Sequence, residues 1–155
     1  MKLSIVLMLV GITSMPLSAM AVENCAGVTA KYQGTSRYAL WGKERSAASF
    51  EVINDGKQKV SLAVESKTVP LLAHGGFFEL QARPGASSAQ WESYKPALEH
   101  HLPPDAWITM AKNGGAVVNL LIDRALSDPK RGALRFRASF EFDNGCKVVS
   151  DAFAL

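Results

Sequence analysis

Residues 134–142 read LRFRASFEF, with apolar and polar residues in strict alternation. Successive side chains of a β-strand point to opposite faces of its sheet, so the pattern predicts a strand with one face in the core and one in water. The aromatic side chains expected in the core are Phe136, Phe140 and Phe142. The charged side chains expected in water are Arg135, Arg137 and Glu141.

A turn signal follows this strand directly. Asp143, Asn144 and Gly145 come next, and Asn-Gly is the preferred pair for a two-residue hairpin turn. We therefore expect the chain to return over residues 146–153, with Cys146 at the start of the last strand.

Further strands and turns extend the pattern along the chain. Asp55 and Gly56 predict a hairpin between residues 50–53 and 60–64, and the sequence KNGG at 112–115 predicts a hairpin between 107–111 and 117–123. The remaining predicted strands cover 28–33, 37–41 and 76–82. About eight short strands are typical of an all-β, single-domain antiparallel β-sandwich of immunoglobulin-like architecture.

The N-terminal segment has the pattern of a secretory signal peptide. Lys2 precedes an apolar run, and the sequence AMA at 19–21 matches a cleavage site. We expect a signal peptide over 1–21, a mature chain that begins at Val22, and one β-sandwich domain over 22–155. The apolar run has about ten residues, whereas a membrane-spanning helix needs about 20. The prediction is a periplasmic or secreted protein with no membrane insertion after signal cleavage.

The chain contains 2 cysteines, Cys25 and Cys146. Exported proteins fold in oxidising compartments, so the simplest expectation is one disulfide between them, closing almost the whole domain. The alternative is a pair of unpaired buried thiols. Asn24, directly before Cys25, is not the small residue that a bacterial lipid-anchor motif requires, which favours a product without a lipid anchor.

The charge balance and the motifs exclude several function classes. A net charge of +3, with 17 basic and 14 acidic residues scattered along the chain, is too small to indicate nucleic-acid binding. The chain lacks a G-x-S-x-G elbow, a phosphate-binding loop and an H-E-x-x-H motif, so we predict that it is not an enzyme. Carboxylates that meet only in space leave a small envelope hydrolase as an alternative.

Three histidines suggest a second alternative, a periplasmic carrier of a metal or small ligand. His100 and His101 follow Glu99, and His74 lies elsewhere in the chain. Adjacent residues of an extended chain point to opposite sides, and no metal-ligand spacing is present. We therefore favour solvated loop histidines, with no metal site and no cofactor.

A long connection at 84–104 contains Trp91 and Tyr94, residue types that often anchor protein interfaces. Arg135 and Arg137 provide a second, basic candidate surface. The competing interpretation is that the two aromatic side chains cover the end of the core and that the arginines belong to a mixed, solvated face.

These observations predict an exported, non-catalytic binding protein of the cell envelope. Its partner would be another envelope or secreted protein, for which this chain serves as an inhibitor, an immunity partner or an accessory subunit. The predicted binding residues are Trp91, Tyr94, Arg135 and Arg137. A rigid sandwich with one disulfide is suited to presenting such a surface.

Overall fold

Nine β-strands and one helical turn make up the part of the chain described by the computed structural model, namely residues 25–65, 69–82, 91–94, 104, 106–127 and 134–155. In chain order they are β1 (Val28–Leu40), β2 (Lys43–Asn54), β3 (Val60–Val64), β4 (Phe77–Ala82), β5 (Glu92–Tyr94), β6 (Ala106–Met110), β7 (Gly114–Leu121), α1 (Asp123–Ser127), β8 (Leu134–Glu141) and β9 (Lys147–Val149). The all-β prediction is confirmed.

The strands form three antiparallel sheets with the orders β1-β2-β7, β3-β6 and β5-β4-β8-β9. The three-stranded and four-stranded sheets face each other across the core. The ring centroid of Phe50 on β2 lies 5.4 Å from that of Phe140 on β8 and 6.4 Å from that of Phe78 on β4. This face-to-face arrangement fits the predicted sandwich, whereas the sheet orders do not confirm the immunoglobulin-like part of the prediction.

The hairpin at the C-terminal end of the chain is confirmed. β8 pairs with β9, and Glu141 lies opposite Lys147. Phe136 and Phe140 have no exposed surface and Phe142 keeps 3%. The alternation at 134–142 therefore identifies the buried face correctly.

The turn of this hairpin has three residues instead of the predicted two. The amide of Gly145 donates to the carbonyl of Phe142 at 2.8 Å, and the amide of Phe142 donates to the carbonyl of Cys146 at 3.0 Å. Gly145 has a φ of 76° and is the one loop residue in the left-handed region. This is the geometry of a three-residue hairpin loop that ends in a left-handed glycine.

The other two predicted hairpins are wrong. Segments 50–53 and 60–64 lie in β2 and β3, but β2 pairs with β1 and β7, and β3 pairs with β6. Segments 107–111 and 117–123 fall largely in β6 and β7, which likewise belong to different sheets. β2 is the middle strand of its sheet, so β1 and β7 occupy both of its edges and β3 cannot pair with it. Each of the two turns connects strands that belong to different sheets.

The two turns meet at a buried asparagine, Asn54. Its Nδ2 donates to the carbonyl of Gln58 at 2.8 Å and to that of Met110 at 3.0 Å. Its Oδ1 accepts from the amide of Gly56, and its carbonyl accepts from the amide of Asn113. The side chain has no exposed surface, and these bonds satisfy its amide group in the core.

The two strands predicted at 28–33 and 37–41 are one strand, β1. The register against β2 shifts between Tyr32 and Gly34, which marks a β-bulge. Gly34 has a φ of 115°, a backbone conformation open to glycine, so the strand continues through the irregularity. The strand predicted at 76–82 is confirmed as β4.

The predicted disulfide is confirmed. Cys25 and Cys146 are bonded, with their Cα atoms 5.1 Å apart and a sequence separation of 121. The bond joins the residue positions that precede β1 and β9.

The ring of Tyr32, on β1, stacks on the ring of Phe153 with centroids 4.2 Å apart. Burial raises the pKa of the Tyr32 hydroxyl.

Several predictions fall outside the described residues. They concern the signal peptide at 1–21, the mature start at Val22, and His100 and His101. The extent of the domain, 22–155, also stays a prediction. Within the ranges that the structure describes, no helix has the length and apolar character needed to cross a membrane.

Candidate functional site

The outer face of the four-stranded sheet carries a cluster of charged and aromatic side chains. Phe78 and Phe136 face the core, so their sequence neighbours Glu79 and Arg137 face outward. Glu79 and Arg137 also lie directly opposite each other on β4 and β8. We call Glu79, Arg137, Trp91 and Lys147 the outer-sheet cluster.

Glu79 is the centre of this cluster because it binds two cations. The Nε and Nη2 atoms of Arg137 both contact Oε2 of Glu79. Nζ of Lys147, on β9, donates to Oε1 of Glu79 at 3.3 Å. The carboxylate side chain is 12% exposed, so most of this pairing is shielded from water.

Trp91 completes the cluster from the position before β5. The Cζ atom of Arg137 lies 4.3 Å from the centroid of the Trp91 ring, which is a cation–π contact. The guanidinium group is therefore held at its edge by the carboxylate of Glu79 and at its face by the indole. This double contact restricts the rotamers of both Arg137 and Trp91 before any partner binds.

Tyr94 lies on the opposite side of the sheet. It pairs with Phe78 across β4 and β5, and its ring centroid is 6.0 Å from that of Phe136 in the core. Trp91 and Tyr94 are three positions apart in an extended segment, and an odd separation places side chains on opposite faces. The connection predicted at 84–104 contains β5, whose extended backbone places the two aromatic side chains on opposite faces of the sheet.

The structure therefore brings together only part of the predicted binding surface. Trp91 and Arg137 are in contact, and Arg135 is exposed two residues before Arg137 on the same face of β8. Tyr94 is half-buried against the core. The binding role of these residues stays a prediction. Glu79 was missed, although the alternation of residues 76–82 was a usable signal for its outward direction.

His74, one of the histidines considered as a metal ligand, has a protein partner. Its Nδ1 lies 3.0 Å from Oε1 of Glu65, and both side chains are largely buried. Of the residues that the structure describes, no group of three or more histidine, cysteine, aspartate or glutamate side chains is placed to hold a metal ion. A site that includes His100 or His101 lies outside those residues.

A second buried polar group centres on Asn119 of β7. Its Oδ1 accepts hydrogen bonds from Ser49 at 2.7 Å and from Tyr38 at 3.3 Å, and its Nδ2 donates to the carbonyl of Leu71. These bonds connect β1, β2 and β7 with the segment after the cis Val69–Pro70 bond. The arrangement positions strands and leaves Asn119 shielded from ligands.

Comparisons with protein-family models, with curated proteins and with solved structures find no match for this chain. The geometry and chemistry of the chain's own residues are therefore the basis for inferring its function.

Proposed function

We propose that this protein is an exported, non-catalytic binding protein of the cell envelope that docks another envelope or secreted protein through the outer-sheet cluster. The observation that carries the proposal is the arrangement of Arg137 between the carboxylate of Glu79 and the indole of Trp91. Tryptophan and arginine dominate the binding energy of protein interfaces when they are rigidly placed. An inhibitor, an immunity partner and an accessory subunit all have this requirement.

Preorganisation is the physical advantage of this cluster. A free arginine or tryptophan side chain loses rotamer freedom when it binds, and that loss weakens the complex. Here Glu79 and Trp91 already restrict Arg137 in the unbound protein. The antiparallel sheet and the Cys25–Cys146 bond hold the strands that carry the cluster.

The charge of the cluster indicates the chemistry of the partner. Arg137 and Lys147 share one carboxylate, and Arg135 adds an exposed cation on the same face. An acidic protein surface complements the exposed Arg135, which would act mainly on the rate of association. Glu141, also exposed, confines the positive area to the middle of β8.

The export part of the proposal is supported by the disulfide, because such bonds persist in oxidising compartments. N-terminal sequencing of protein recovered from the periplasm or medium tests it. We expect the sequence to begin at Val22. A retained Met1, or a lipid attached at Cys25, would contradict the prediction.

The binding part is tested by co-purification from an envelope extract, identification of the bound protein, and titration of that purified protein. Trp91→Ala should weaken binding by about 2 kcal/mol, the scale of an interface hot spot. Trp107→Ala is the matched control, since Trp107 is an exposed tryptophan on β6, outside the cluster. Equal affinity of Trp91→Ala and the parent protein would exclude the outer-sheet cluster as the docking surface.

Charge reversal separates the contribution of Arg135. Arg135→Glu should slow association and reduce its dependence on salt, with a smaller change in dissociation. Stopped-flow or surface-binding kinetics at two ionic strengths measure this. If dissociation changes as much as association, Arg135 makes a direct contact instead of steering the encounter.

A further inference from the structure

The distal part of the β1–β2 hairpin extends beyond the rest of its sheet. β2 pairs with β7 from Asn54 to Ala47, whereas the pairing of β1 with β2 continues to Leu40 opposite Lys43. Residues 37–46 therefore form a two-stranded projection, which we call the hairpin finger.

Trp41 occupies the tip of the hairpin finger in an unusual backbone conformation. It has a φ of 50°, and Gly42 after it has a φ of 73°. A two-residue turn with both φ values positive favours Asn-Gly, because a bulky side chain strains the left-handed region. The indole does not offset this strain by burial, since Trp41 is 61% exposed. Tryptophan at position 41 therefore destabilises the turn.

The base of the hairpin finger is fixed to the body of the protein. Asp123 at the start of α1 accepts from Nη1 of Arg45 at 3.1 Å and from the amide of Ser46 at 2.9 Å. On the other strand, the hydroxyl of Tyr38 donates to Asn119 at 3.3 Å. The finger is thus anchored and presents its tip in a defined direction.

We propose that Trp41 is the anchor of a second interaction site, at which the hairpin finger inserts its indole into an apolar pocket of a partner protein. Strain at an exposed residue is retained where function requires it, and tryptophan is the residue most enriched among interface anchors. A narrow, convex tip with one large aromatic side chain matches a concave pocket.

The charges around the tip favour a protein partner over a lipid or nucleic-acid surface. Arg37 pairs with Glu44 at 3.2 Å, and Arg45 pairs with Asp123. Within residues 37–46, all of them described, Lys43 is the cation outside these pairs. Anionic membranes and nucleic acids are bound by clusters of cations. A polar rim in which most charges are paired, around one aromatic anchor, is typical of a protein interface.

The experiment begins by capturing the partner in the exporting host. A photo-crosslinking amino acid replaces Trp41 in the full chain, and the control carries it at Val117, which is 52% exposed on β7. We expect one protein to crosslink from position 41 and not from position 117. That protein is then purified for titration, because capture alone does not establish the site. Failure of position 41 to crosslink a protein would overturn the proposal.

Titration of the purified protein distinguishes the role of the indole. The Trp41→Asn variant should bind the purified partner at least about tenfold more weakly than the parent protein does, as expected for loss of an anchor. The Trp41→Phe variant should retain most of the parent's affinity for that partner. Trp41→Asn should also raise the denaturant midpoint, because asparagine suits this turn. Unchanged affinity, or a lowered midpoint, would overturn the proposal.

Two controls separate the alternatives. Co-sedimentation with phosphatidylglycerol vesicles that depends on Trp41 would show a lipid target and overturn a protein pocket. Trp91→Ala, which tests the outer-sheet cluster, should leave crosslinking from position 41 intact. The two proposals can therefore fail independently.

Discussion

Two hairpins of this protein differ in how well their residue types suit their backbone conformation and burial. The β8–β9 hairpin has a buried aromatic face, a left-handed glycine at its loop, and a disulfide at the start of its return strand. The hairpin finger has exposed charges, a left-handed tryptophan and an exposed indole. In the first, the buried aromatic face and the glycine at positive φ agree with the tertiary structure. In the second, Trp41 adopts a backbone conformation that is unfavourable for a bulky side chain.

This difference indicates where stability and where function reside. Agreement between alternation, turn chemistry and burial is what makes a segment fold uniquely. An exposed residue that strains its backbone, and whose strain no contact within the protein offsets, indicates a role in binding another molecule. The β8–β9 hairpin is accordingly the stabilising element, and the hairpin finger is a presenting element. Substitutions matched between the two hairpins test this distinction.

The largest expected effect is loss of a core aromatic ring. Phe140→Ala should reduce the free energy of unfolding by about 3–5 kcal/mol, because it removes a fully buried ring that contacts Phe50. The matched change in the hairpin finger, Leu40→Ala, should cost about 1 kcal/mol or less, since Leu40 is only half-buried. Denaturant unfolding measures both. Equal costs would remove the distinction between the hairpins.

The disulfide should have the next largest effect. Replacement of both Cys25 and Cys146 by alanine should lower the stability by about 2–4 kcal/mol, because the bond restricts a long segment of the unfolded chain. Reduction of the parent protein should lower its free energy of unfolding by a similar amount, which a thermal melt detects as a lower melting temperature. If the double variant is as stable as the oxidised parent, the closure does not contribute to folding.

The two glycine turns provide a direct comparison of backbone cost. Gly145→Ala and Gly42→Ala should each destabilise the protein by about 1–2 kcal/mol, because each glycine has positive φ while a Cβ atom meets open space. The cost therefore comes from backbone conformation alone. A much smaller effect at Gly42 would show that the tip of the finger relaxes.

The smallest effects concern the ion pairs. Glu79→Gln should cost about 1 kcal/mol, because it removes the shared partner of Arg137 and Lys147 from a site only partly open to water. Glu44→Gln should cost less than about 0.5 kcal/mol, since Arg37 and Glu44 are 77% and 65% exposed. Thermal melts in low and high salt measure both, and equal costs would contradict the burial argument.

The sequence could predict the β8 face because alternation is local information. The apolar residues from 134 to 142 mark the core side of the sheet, and the structure confirms the buried aromatic side chains. The prediction of water on the other side is wrong at Ser139, which has no exposed surface. It could also predict the pairing of Cys25 with Cys146, since two cysteines allow one bond. The same logic fails for the turns at 54–59 and 111–113, which reverse the chain without pairing the strands on either side.

The candidate site was predictable only in part for the same reason. The alternation of β8 predicts that Arg137 points outward. Its contact with Glu79 joins residues 58 positions apart in the sequence, and a local pattern does not predict such a contact. Trp91 and Tyr94 were assigned to one surface because the short strand β5, which contains Tyr94 and begins directly after Trp91, was not recognised. Once that short strand is known, alternation separates them.

The all-β class, the core face of β8 and the cysteine pair could be derived from the residues alone, because each depends on residue chemistry within a short segment or on elimination. The strands that pair around β2, the cations that share Glu79 and the exposed position of Trp41 required the folded structure. Those outcomes depend on contacts between distant segments, where many pairings satisfy the same local pattern and the packing of the whole core selects one.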